Sequence, residues 1–425
     1  MIVRGGTVVT PSGLARADVR LEDGRVAEVA PDLEEQADEL DATGLHVFPG
    51  VVDAHVHFNE PGRADWEGAA TGSAALVAGG GTCFVDMPLN AHPPTVDAAA
   101  FAAKAAVAAA VSVVDFALWG GLVPGNVDRL AELADCGVVG FKAFMAPSGI
   151  EDFEAADDAT LRDGMARAAE LGLPVAVHAE DPASLLPPQG AGWRDWCRSR
   201  PREAEHAAIE KALAFADETG CSLHVVHVST GRGVRLVEEA QERGVDATCE
   251  TCPHYLFLDE DDAERLGAVA KCAPPLRPRA EQDDLWSELL AGNVLFVASD
   301  HSPAPPALKE GDALAAWGGI SGCQSLLALL LSDERLDLPA VARLTAAAPA
   351  ARFELPGKGR IEPGFDADLA LVDLDAKAEL RAGDLRYRHR QSPYVGMTLR
   401  GRVVATLVRG CRAGEQPGRL VTPAR

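Results

Sequence analysis

Residues 50–58 read Gly-Val-Val-Asp-Ala-His-Val-His-Phe, a short apolar run that closes on two histidines. Its β-branched residues and its length predict a strand, and the Ala-rich stretch 66–79 that follows has helical composition. Seven further apolar runs repeat the pattern: GTCFVDMPL (81–89), VVDFALWGG (113–121), GVVGFKAFM (137–145), PVAVHAED (174–181), SLHVVHVS (222–229), DATCETCPHY (246–255) and VLFVASDHS (294–302). Helical stretches between them include 97–110, 126–135, 158–171, 203–219 and 230–243. Strand–helix alternation predicts a parallel sheet. Eight such units over roughly 250 residues match a TIM-like (β/α)8 barrel. The rival is a doubly wound open sheet, but no G-x-G-x-x-G follows the first strand. Gly79-Gly80-Gly81 precedes a strand and reads as a helix stop.

The two ends of the chain differ from this middle. Residues 1–47 carry short β-branched runs separated by Gly, Pro and Asp-Gly turn signals, and DADLALVDL (366–374) and TLRGRVVATLVRG (398–410) repeat that texture. The expected organisation is an α/β chain: a small β-sandwich from 1–47 and 355–425, around a barrel over 48–354.

Composition narrows the class. The chain has 425 residues, 47% of them hydrophobic and 24% charged, which excludes a disordered or collagenous protein. Lys and Arg number 39 against 64 Asp and Glu, a net charge of −25, so nucleic acid and anionic membrane are repelled. Nine scattered cysteines, an odd number, do not make a secreted disulfide framework and point to a reducing cytoplasm. The first residues lack a signal-peptide pattern, and no apolar stretch is long enough to span a membrane.

The chemistry lies where the strands end. His55 and His57 are two apart and face one side of the first strand. Lys142 lies in the fourth strand, His178 ends the fifth, His227 the sixth and Asp300 the eighth. In a barrel these ends converge on one mouth. Four imidazoles, a carboxylate and a lysine there suit a pair of divalent ions. An unpaired ammonium in an apolar run is costly, and burial lowers its pKa. Such an amine can take up carbon dioxide to give a carbamate, an anionic bridge between two metals. Each residue also has another reading: Lys142 as a Schiff-base or snorkelling lysine, Asp300 as a helix cap, and the two histidines as structural.

Other residues are expected to be structural. Cys249 and Cys252 have redox spacing but lie three apart on a strand and face opposite sides. His224, three before His227, should face the helices. His301 should point away from Asp300, and His254 should pack. His46, His92, His206 and His389 are isolated.

The set H-x-H on strand 1, Lys on strand 4, His on strands 5 and 6 and Asp on strand 8 resembles the cyclic amidohydrolases. These include dihydroorotases, hydantoinases (dihydropyrimidinases) and allantoinases. The resemblance covers nearly the whole chain, the two-ended β domain included. It implies two divalent metals, zinc foremost, with manganese, cobalt or iron also accepted. It further implies His55 and His57 on the first metal, His178 and His227 on the second, and a carboxylated Lys142 bridging both. Asp300 would be both ligand and general base, and the assembly a homotetramer acting on a small-molecule substrate. Asn90, the Ala273 and Gly318 backbones, and Ser302 are candidate substrate contacts.

The strings HVHFNEPGRADWEG, DMPLNAHPPT, GFKAFMAPSG, ETCPHYL, KCAPPLR, SDHSP and AWGGISG are most similar to the allantoinase branch. That branch opens the hydantoin ring of allantoin in purine breakdown. Dihydroorotases usually carry an arginine two residues after H-x-H for the substrate carboxylate; here that residue is Asn59, although Arg63 is near. Hydantoinases usually place a tyrosine in the loop after the strand-4 lysine, where this chain has Ala146-Pro147-Ser148-Gly149. Those two activities, and a non-catalytic homologue serving as a scaffold, are the alternatives. All six ligand positions are filled, which argues against the scaffold.

Overall fold

The structure, a computed structural model, describes residues 1–424. Its amino-terminal strands are β1 (Ile2–Thr10), β2 (Gly13–Glu22), β3 (Arg25–Ala30), β4 (Glu39–Asp41) and β5 (His46–Pro49). The middle contributes β6 (Val51–Val56), β7 (Gly81–Asp86), β8 (Asp115–Leu118), β9 (Gly120–Gly121), β10 (Phe141–Phe144), β11 (Val175–His178), β12 (Leu223–Val225), β13 (Ala247–Thr251) and β14 (Phe296–Val297). The chain closes with β15 (Leu369–Glu379), β16 (Thr398–Val408) and β17 (Cys411–Arg412).

Both chain ends enter one sheet, in the order β17-β16-β15-β5-β1-β2-β3, with β4 on β1. The join is antiparallel, with Val47 of β5 opposite Leu371 of β15. The strands hydrogen-bond as one eight-stranded sheet, joined where β5 and β15 pair edge to edge. Its register shifts between Val3 and Gly6 and between Leu371 and Val372. Val8, Val19, Leu21, Val47, Leu369 and Leu407 form its own apolar core.

The middle strands are parallel. β6-β7-β8 form one ladder and β9 to β14 another, each strand running beside its sequence neighbour. The Trp119 amide donates to the Asp86 carbonyl at 3.0 Å where the ladders meet, and a parallel bridge joins Val56 to His301 beyond β14. All eight apolar runs of the sequence fall on these strands. β6, β7, β8, β10 and β11 are buried at every position, as strands covered on both faces must be.

Helices separate the strands, among them Ala98–Val111, Asp158–Glu170, Arg202–Thr219 and Gly231–Glu242. Side chains cap three of them: Asp97 accepts from the Ala100 amide, Asp157 from Thr160 and Thr230 from Gly233. Gly220, at φ 69°, stops the helix before β12 in the left-handed conformation that glycine adopts without penalty. No helix among the described residues is long and apolar enough to cross a membrane.

A buried charge cluster fastens the terminal sheet to the parallel strands. The Lys358 ammonium lies 2.6 Å from Asp115 on β8, 2.7 Å from Asp368 and 3.0 Å from Asp366. Arg409 and Arg419 also pair with Asp115. The three carboxylates are close enough together to hold a cation, and Lys358 is the cation that they hold.

Candidate metal centre and substrate cavity

The carboxyl ends of the parallel strands bring His55, His57 and Asp300 together. Asp300 Oδ1 lies 3.3 Å from His55 Nε2 and 3.4 Å from His57 Nε2. One ligand atom from each of the three falls within 4.8 Å of the others. His178 Nδ1 is 3.1 Å from His227 Nε2, and the His55 and His227 rings are 5.5 Å apart. Lys142 is fully buried beside them, with its ammonium 5.1 Å from the Phe144 ring centroid and no hydrogen-bond partner among the described residues. His227 and Asp300 take left-handed φ values of 42° and 44°, at the points where β12 and β14 have given way to loops.

Electrostatics suit this cluster to cations. Burial lowers the pKa of His55 to about 3 and that of His227 well below its ordinary value, and it lowers those of His57 and His178 as well. The four rings are therefore neutral at pH 7, the form that binds metal. Burial also draws Lys142 down to about 7, against the opposing charges of Glu250 and Asp300. Burial raises the Asp300 pKa, but His55, the hydrogen bond from His57 and His227 outweigh it and keep the carboxylate ionised. The neutral imidazoles, the ionised carboxylate and the orphaned lysine fit a divalent metal site.

Two carboxylates that sequence reasoning missed stand behind the histidines. Glu250 Oε1 is 2.5 Å from His55 Nδ1, and Glu250 Oε2 is 3.2 Å from His224 Nε2. Glu180 Oε2 is 2.7 Å from His178 Nε2, and Arg200 holds Glu180 through two nitrogens. The signal was present in the sequence: a glutamate inside an apolar strand, and another two residues after a candidate ligand. His224 corrects the sequence reading. It is fully buried against Phe296 and Phe353 and bonded to Glu250, not turned to the helices. β12 ends at Val225, so the alternation that would have opposed His224 to His227 fails between them.

A cavity of about 340 Å³ opens over this cluster. His55, His57, His178, His227 and Asp300 line it together with Asn90, Ala273, Ser302 and Gly318. Trp196, Arg200, Lys271 and the segment 314–319 complete the wall.

Two residues weighed for specificity lie elsewhere. Asn59 is buried at φ 63° and its amide donates to the Pro303 carbonyl at 3.3 Å. Arg63 Nη1 donates to the Asn90 and Ala91 carbonyls, so it ties two loops together and is not directed at a ligand. All nine cysteines are free, Cys249 and Cys252 included. His254 packs on Tyr255 with ring centroids 4.2 Å apart, and His301 accepts from the Gly322 amide.

Residues 46–412 match the amidohydrolase family. An allantoinase of Rubrobacter xylanophilus is 58% identical over 99% of this chain and 95% of its own length. One from Deinococcus radiodurans is 49% identical over 100% and 98%. Among solved structures, the L-hydantoinase (dihydropyrimidinase) of Arthrobacter aurescens superimposes with a TM-score of 0.94 at 35% identity, over 99% of both chains. The dihydropyrimidinase of Brevibacillus agri gives 0.90 at 31% identity, over 100% of this chain and 99% of its own.

Proposed function

The chain belongs to the amidohydrolase family, and from that premise we infer that it hydrolyses the cyclic amide of allantoin to open-chain allantoate. Near full-length identity of 49–58% to allantoinases carries this reading, because it spans every residue that lines the cavity. The structural likeness to hydantoinases supports the ring-opening chemistry that the two groups share. We take the parallel strands to close as an eight-stranded barrel over 48–354, with 1–47 and 355–425 forming the second unit. The Val56–His301 bridge supports that closure.

His55, His57 and Asp300 would hold one divalent ion, and His178 and His227 a second, with zinc the foremost candidate. Lys142 would bridge them as its carbamate; its burial, lowered pKa and unpartnered ammonium support that modification. Two such ions supply Lewis acidity and lower the pKa of a bound water toward 7.

The chain's own groups do the rest. Glu250 and Glu180 fix the tautomers of His55 and His178, so that each turns its other nitrogen inward. Phe144 stacks on His178 at 4.5 Å and 11°, which holds that ring in plane and keeps water from its face. Ser302, Asn90 and the backbones of Ala273 and Gly318 would orient the ring. Asp300 accepts a proton from the attacking water and returns it to the ring nitrogen that leaves. One carboxylate suffices, because it acts once in each direction.

Steady-state comparison of allantoin, dihydroorotate, dihydrouracil and hydantoin tests the reading. The kcat/KM for allantoin should exceed the others by at least ~10³-fold, the scale set by a pocket built to hydrogen-bond a polar arm. Equal turnover of hydantoin would reject allantoin as the substrate while leaving a cyclic amidase.

A further inference from the structure

In the lining of the same cavity, one indole carries two cations. Lys271 Nζ lies 4.1 Å from the Trp196 ring centroid and the Arg200 guanidinium carbon 5.0 Å from it. Arg200 is already committed, since its Nε and Nη2 both donate to Glu180. Lys271 is ion-paired with no carboxylate among the described residues, Asp312 acting on it only from a distance, although it is only 5% exposed. Its ammonium donates to the Ala316 carbonyl, which uses one of three hydrogens.

Lys309 gives the contrast. It too lacks an acidic partner, but it donates to the carbonyls of Ala268, Trp317 and Gly319, and so its three hydrogens are spent on fastening this wall. The segment over the cavity is therefore fastened chiefly by Lys309, while Lys271, which lines the cavity, retains two donors. A buried charge with unused donors is costly unless a ligand meets it.

We propose that Lys271 is the specificity residue of this cavity, its ammonium donating to the carbonyl oxygen of the substrate's exocyclic ureido arm. This rests on the reading of the protein as an allantoin hydrolase. A ring that offers its amide to the histidines leaves its substituent to meet the rest of the lining. Apart from Arg200, which Glu180 neutralises, that part of the lining is apolar, formed by Trp196, Leu314, Ala315 and Trp317. Lys271 is the charged donor there that no carboxylate neutralises, whereas Arg200 is paired with Glu180.

The test compares kcat/KM for allantoin and for 5-propylhydantoin, which keeps the ring and replaces the ureido arm with an alkyl chain. In Lys271→Met, kcat/KM for allantoin should fall between about 10- and 150-fold, the range for a hydrogen bond to a charged group. The value for 5-propylhydantoin should change less than about threefold, and Lys271→Arg should keep most of the preference. Equal losses on both substrates would mean that Lys271 acts by holding Ala316, which overturns the proposal, as would no loss on either. Lys271→Gln, which can still donate to Ala316 but lacks the charge, repeats the comparison if the methionine variant does not fold. Wild type that prefers 5-propylhydantoin to allantoin would overturn the functional reading and this inference together. Wild type that prefers allantoin, with Lys271→Met losing equally on both substrates or on neither, overturns the inference alone.

Discussion

Glu250 links two histidines of opposite standing: His55, at the mouth of the parallel strands, at 2.5 Å, and His224, buried beneath, at 3.2 Å. The carboxylate accepts from His55 Nδ1 and leaves Nε2 facing Asp300. Glu250→Gln puts an amide there, which competes as a donor and loosens the tautomer. Metal affinity should fall about 10–100-fold, measured by competition with a chelator. Affinity equal to wild type would remove Glu250 from this role.

Lys142→Ala should lose most bound metal and activity if the carbamate bridges two ions. Short carboxylic acids should restore part of both, because they replace the missing oxygens. Elemental analysis of the purified variant, with and without added acid, reads the result. Full metal content in Lys142→Ala rejects the bridge.

Asp300→Asn keeps the side chain's shape but cannot take up the proton. The kcat should drop at least ~10²-fold, the lower end of general acid–base contributions. A loss under about tenfold with metal content unchanged would exclude Asp300 as the base.

Burial lowers the Lys271 pKa to about 8; Arg200 adds to that and Asp312 opposes it. If its charge anchors the substrate, binding weakens as pH rises through about 8, where the ammonium is lost. The kcat/KM for allantoin should show this alkaline fall, and Lys271→Arg, which stays charged, should shift it upward. The same alkaline limb in both proteins would assign the titration to another group.

Lys358→Met should destabilise the fold by about 3–5 kcal/mol, the cost of leaving buried charges without their partner. Asp115, Asp366 and Asp368 would then face one another with only Arg409 and Arg419 to offset them. Denaturant unfolding measures the change. A loss below about 1 kcal/mol would show that water or the arginines compensate.

The sequence by itself determined the strands and the cluster at their ends. Strand periodicity and composition are local, so the eight apolar runs were legible, and each candidate ligand lies in the second half of its run. The tertiary structure decided what stands behind that cluster and what shares its cavity. Glu250 reaches His55 only because β13 and β6 come together across 195 residues of chain, and no local pattern encodes that meeting. Alternation also fails once a strand ends. Asn59, beyond the last residue of β6 and at φ 63°, turns to Pro303 instead of the cavity, and His224 and His227 are not opposed because β12 stops between them, at Val225. Lys271 gave no signal in the sequence. Its place depends on the packing of Trp196 and the segment 314–319, which join the cavity wall only in the folded chain.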